Sequence, residues 1–83
     1  MEPLEEKVSK LLRQRFGRAA KVEIKDDDGI IGSVISPRFR DLETIDRVNL
    51  IWDALEKSLS TEEQQSIAII VARTPEEARG DED

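Results

Sequence analysis

The side chains with chemistry to offer fall in two places. One is Arg38-Phe39-Arg40, followed by Arg47. A guanidinium presents a planar fork of N–H donors that suits phosphate or carboxylate oxygens. Such a set can grip nucleic acid or the acids of a partner protein. The other is Asp26-Asp27-Asp28-Gly29-Ile30-Ile31-Gly32, whose GxxG spacing is that of loops that clamp a nucleic-acid backbone. Both have plainer readings. Arg38 and Arg47 would anchor their loop by pairing with Asp41, Glu43 or Asp46, and Phe39 would plug the core beneath it. Gly29 would supply the positive φ of a tight turn, Gly32 a bulge or a close approach to a helix. Three aspartates would repel a phosphate, and one short acidic run offers too few converging oxygens to hold a hard cation.

Composition narrows the chemistry further. The 83 residues contain no His, no Cys and no Tyr. The commonest general base near neutral pH, the commonest metal ligand and every thiolate function are therefore missing. A catalyst would have to work with carboxylates, Lys, Arg, Ser and Thr, and the sequence shows no paired acid geometry for it. The expectation is a protein that is not an enzyme and carries no cofactor and no metal. A net charge of −6 works against broad affinity for nucleic acid. The charge is uneven: residues 1–20 hold five Lys/Arg against three Asp/Glu, and residues 61–83 hold two against seven. Lys7, Lys10 and Arg13 fall on one helix face, read as solvated. No apolar run approaches membrane-spanning length and no signal-peptide pattern opens the chain, so a soluble cytoplasmic setting is expected.

These residues must be positioned by a small α+β domain, residues 1–80, with residues 81–83 an acidic disordered tail. Pro3 to Phe16 reads as a helix with an apolar stripe of Leu4, Val8, Leu11 and Leu12. Phe16 extends it if the helix end rotates or unwinds, and Gly17 stops it. Val22 and Ile24 alternate with charged residues in a first strand. Ile30 to Ser36 reads as a second strand, hairpin-linked to the first. Pro37 ends it, and an irregular or single-turn segment follows. Thr44 to Leu59 is the strongest helix, with Ile45, Val48, Ile51, Trp52, Leu55 and Leu59 on one stripe and Trp52 the largest core candidate. Ser60 to Glu63 has capping-box spacing. Residues 65–73 form a third strand, central or parallel because it is apolar on both faces. Ile67, Ile69 and Val71 share one face; Ala68, Ile70 and Ala72 share the other and form a small exposed patch. Thr74, Pro75 and Glu77 carry N-cap, N1 and capping-box signals for a short last helix. The architecture is one three-stranded mixed sheet packed on helices, in the order α-β-β-α-β-α.

Joint spacing carries a resemblance. A strand ends at Ser36, Arg38-Phe39 follows, Arg47 opens the long helix, Leu55 and Leu59 close it, and Thr74-Pro75-Glu76-Glu77 follows the last strand. Over residues 4–78 this resembles the BolA-like family. The resemblance implies a fold related to the type II KH topology. It also implies a functional surface near Arg38, Phe39 and Arg47, beside the long helix and the end of the third strand. Members of that family act as partners of monothiol glutaredoxins, some sharing an iron–sulfur cluster through histidines, and others are reported as transcriptional or stress-linked regulators. This chain departs from the pattern. The first hairpin is short, Val48 stands where a His follows the helix-opening Arg, and Gln64, Gln65 and Ser66 stand where another His precedes the third strand. The expectation is an adaptor or regulator, monomeric or weakly dimeric, that binds a protein such as a monothiol glutaredoxin without ligating a cluster. The alternative is a KH-like nucleic-acid binder or transcription regulator. The residues put forward for either are Arg38, Phe39, Arg40 and Arg47.

Overall fold

The computed structural model describes residues 2–80, so the expected acidic tail, residues 81–83, lies outside the described residues. Helix α1 (Leu4–Phe16) leads to strands β1 (Lys21–Asp26) and β2 (Ile30–Ile35), then a single 3-10 turn (Pro37–Phe39). Helices α2 (Thr44–Leu55) and α3 (Thr61–Gln65), strand β3 (Ile67–Arg73) and helix α4 (Pro75–Gly80) complete the order. The sheet runs β1-β2-β3, with β1 antiparallel and β3 parallel to β2. The expected α+β architecture is the observed one. The third strand is parallel, and it sits at the edge rather than the centre.

Helix α1 buries Val8, Leu12 and Phe16 in regular i+4 steps. No unwinding is needed to place Phe16: the Gly17 N–H still donates to the Arg13 carbonyl at 2.8 Å, and Gly17 leaves the helix at φ +79°. These residues meet Val22, Val34, Phe39, Ile51, Leu55 and Leu59 in one core. Helix α2 stops one turn earlier than its apolar stripe suggests. The Gln64 side-chain amide donates to the Glu56 and Leu59 carbonyls that a longer helix would have used, and Ser60 closes a full capping box with Glu63. Trp52 is only partly buried; Phe39 and Leu12 are the largest fully buried side chains.

A register shift resets the faces of β3. Ile30 pairs with Ile67 but Ile31 pairs with Ile69, so Ala68 is an extra residue. Ile67, Ile70 and Ala72 therefore pack toward the core. Of the expected patch only Ala68 is exposed, Ile70 and Ala72 being partly buried, and Ile69 is the large exposed side chain of the strand.

The GxxG is not a clamp. Gly29 sits in the β1–β2 hairpin loop at φ +127°, where its carbonyl accepts from the Asp27 N–H. Gly32 lies within β2 beneath Ile24, and a Cβ there would stand 2.5 Å from Ile24 Cδ1. The two glycines answer separate demands. Gly29→Ala forces an L residue into a region suited to glycine and is expected to cost about 1–3 kcal/mol. Gly32→Ala should cost less, because the far end of Ile24 can turn away. Urea denaturation of both variants tests this, and a Gly32→Ala loss exceeding that of Gly29→Ala would contradict it.

Candidate functional site

Arg40 and Arg47 come together on α4, whereas Arg38 turns to the end of α1. Ser36 is buried and its hydroxyl accepts the Arg38 N–H at 3.1 Å, which fixes the turn. Phe39 then points inward. It is fully buried, its ring 5.2 Å from that of Phe16 and tilted by 56°. As a binding residue Phe39 is therefore corrected to a core residue, because it presents no surface. The Arg38 guanidinium reaches the Arg15 carbonyl in the last turn of α1 at 3.4 Å, a favourable place for a cation.

Arg40 and Arg47 both turn onto α4. Arg40 Nη2 pairs with Glu76 Oε1, and Arg47 Nη1 pairs with Glu77 Oε1 at 2.6 Å. Arg47 also donates from Nε to the Leu42 carbonyl at 3.0 Å and from Nη1 to the Ala72 carbonyl at 3.4 Å. Anchoring was expected of Arg47, but through Asp41, Glu43 or Asp46. Its observed partners are two backbone carbonyls and an acid thirty residues away, a pairing no local spacing signals.

Glu77 does two jobs. Its carboxylate accepts the Thr74 N–H at 2.8 Å while the Thr74 hydroxyl accepts the Glu77 N–H, the capping box expected from sequence. The same carboxylate holds Arg47. The Arg47 hydrogen bond first, and the Thr74 backbone second, bring its pKa down from 4.5 to about 2. Glu76 is lowered as well, chiefly by its hydrogen bond from Arg40. The folded-state values lie below the ordinary one. The contribution of this contact is therefore complete above pH 4.5 and lost as pH falls toward about 2. In an NMR titration the Thr74 amide should shift with a midpoint near 2, and Glu77→Gln should abolish the shift. A midpoint near 4.5 would mean that the carboxylate is free.

Beside this cluster, where the family resemblance implied a functional surface, lies a groove whose apolar lining by Val48 and Ile69 was not foreseen. The first half of α2 runs along the free edge of β3, and with no fourth strand to cover them Ile45 is 66 % and Val48 38 % exposed. Ile69, on β3, is 55 % exposed. Val48, Ile69, Ile70 and Ala72 line the groove, with Arg47 and Glu77 at one end. Helical angle alone put Ile45 and Val48 in the core stripe; only the position of the sheet edge reveals them as surface.

A histidine-ligated cluster does not fit this chain. With no His and no Cys, it has no imidazole or thiolate to offer. The positions at issue are otherwise engaged. Val48 is an apolar surface residue, the Gln64 amide caps α2, and the Ser66 hydroxyl donates to the Glu62 carbonyl. Among the described residues no group of three or more acidic side chains is gathered to hold a metal. Nor is any helix among them long and apolar enough to cross a membrane.

No protein-family model matches the chain, and no curated protein matches it in sequence. Solved structures do match. BolA1 from Arabidopsis thaliana superposes with a TM-score of 0.72 at 17 % identity, covering 93 % of this chain and 98 % of that one. BolA1 from Mus musculus gives 0.74 at 19 % identity, covering 100 % and 74 %. A BolA homologue from Coxiella burnetii gives 0.67 at 17 % identity, covering 95 % and 99 %. The fold is that of BolA proteins, as the residue spacing implied.

Proposed function

We propose that this protein is a non-enzymatic, BolA-like adaptor or regulator that docks a protein partner and ligates no iron–sulfur cluster of its own. The observation that carries this reading is the α2–β3 groove, where Val48 and Ile69 stand exposed beside the edge strand β3, with Ile45 exposed one turn earlier on α2. Clustered apolar side chains rimmed by charge are characteristic of protein interfaces. A cytoplasmic monothiol glutaredoxin is the partner the fold suggests. Nucleic-acid binding ranks second, because Arg40 and Arg47 are occupied by Glu76 and Glu77, and neither Phe offers a face on which a base could stack.

Titration calorimetry of the chain against a monothiol glutaredoxin is the test. Binding is expected without metal and should weaken at least tenfold in Val48→Asp or Ile69→Asp, with no change on nuclease treatment. Binding that needs a cluster, or a cluster retained by the isolated chain, would overturn the reading.

A further inference from the structure

Helix α4 is weakly attached. It has six residues, far fewer than a helix needs to persist alone, and none of them is buried. Its polar attachments include the Thr74–Glu77 cap and the two ion pairs to Arg40 and Arg47, and Pro75 and Ala78 are partly buried. Three of the four paired side chains, Arg40, Glu76 and Glu77, are about half exposed, and exposed pairs of this kind contribute little each. The pairing nevertheless has a definite chemistry. Two guanidiniums, one from the loop after the 3-10 turn and one from the first turns of α2, each take one of two adjacent carboxylates. Glu77 stands at the end of the α2–β3 groove, so the contact also closes that end.

We infer that Glu76-Glu77 is a built-in stand-in for a ligand: Arg40 and Arg47 form a receptor for a di-acidic segment of a partner protein, and α4 must release them before that segment binds. The inference rests on the adaptor reading and adds to it the chemistry recognised and an internal competitor. Charge complementarity selects the occupant. The pair already accepts consecutive carboxylates, and the groove beside it is apolar, so the fitting partner presents adjacent Glu or Asp next to hydrophobic residues. While α4 is docked, the apparent affinity falls by the fraction of molecules in which it is released.

The probe is a fluorescein-labelled peptide of sequence Arg-Thr-Pro-Glu-Glu-Ala-Arg-Gly, the protein's own residues 73–80, measured by anisotropy against the full chain. Replacing Glu76 and Glu77 with Gln keeps a capping side chain at position 77 and removes the competitor. The double variant should bind the peptide at least tenfold more tightly than the unmodified chain, and less tightly as salt rises. Adding Arg40→Gln, which leaves the backbone anchors of Arg47 in place, should return affinity to the starting level. Equal affinity for the unmodified chain and the double variant would overturn the inference, as would tightening that survives Arg40→Gln. So would a single-stranded oligonucleotide that displaces the peptide more effectively than unlabelled peptide does, or dimerisation of the double variant through exchanged α4. A second readout uses the unmodified chain: on adding excess peptide, the Thr74 amide resonance, whose N–H donates to the Glu77 carboxylate, should move as α4 is displaced, and its staying fixed while the peptide binds elsewhere refutes the site. Glutaredoxin binding that persists while the peptide fails would remove this inference and leave the adaptor reading standing.

Discussion

Phe39→Ala should destabilise the protein by about 3–5 kcal/mol, the range for deleting a fully buried aromatic ring. A chain of this length has roughly 4–12 kcal/mol of total stability, so the variant should be marginal or unfolded at room temperature. The ring lies at the junction of α1, β2 and the loop to α2, and its loss also removes the tilted contact with Phe16. The adjoining 3-10 turn is fixed by Ser36 and Pro37, which limits how far it can collapse into the space. Urea denaturation followed by Trp52 fluorescence is the measurement. Phe39→Leu should recover more than half of the loss, and Arg38→Ala, next in sequence but exposed, should change stability by no more than about 0.5 kcal/mol. A Phe39→Ala loss below about 1 kcal/mol, together with weakened partner binding, would return Phe39 to the role of a surface anchor.

Local signals were legible in the sequence wherever one segment of chain satisfies itself. The Ser60–Glu63 and Thr74–Glu77 capping boxes close as their spacing implies, because each joins residues three apart. The hairpin followed from alternation and turn residues, and the choice of a central or parallel third strand from its two apolar faces. What could not be read depends on where elements end up. The extra residue at Ala68 is invisible in a run of six apolar residues, since neither face is marked by polar side chains, and it reverses which isoleucines are covered. Ile45 and Val48 lie on the correct side of α2, yet the sheet stops beneath them. The candidate site was half legible for the same reason. Arg40 and Arg47 were recognisable as groups seeking oxygen partners, but their acids lie 36 and 30 residues further on, beyond any helical or turn spacing. The missing histidines were legible outright, because absence of a residue type needs no fold to interpret.

Arg47→Ala should cost about 2–3 kcal/mol, most of it from the backbone and not from the ion pair. The Arg47 side chain is only 14 % exposed. It links three segments: the loop before α2 through the Leu42 carbonyl, the outer edge of β3 through the Ala72 carbonyl, and α4 through Glu77. Truncation leaves both carbonyls without their charged donor at a partly buried site, and that is the larger loss. The Glu77 contact adds less, because its carboxylate is half exposed and solvent replaces the guanidinium readily. Arg47→Lys should recover less than half, since one ammonium on a flexible stem cannot reproduce a planar fork reaching three acceptors. A double-mutant cycle with Glu77→Gln separates the two contributions. A coupling that is a small fraction of the Arg47→Ala loss is expected from a pair this exposed. A coupling that accounted for most of the Arg47→Ala loss would make α4 an integral part of the fold, and its release by a competing acidic segment would then be too costly to serve as a gate.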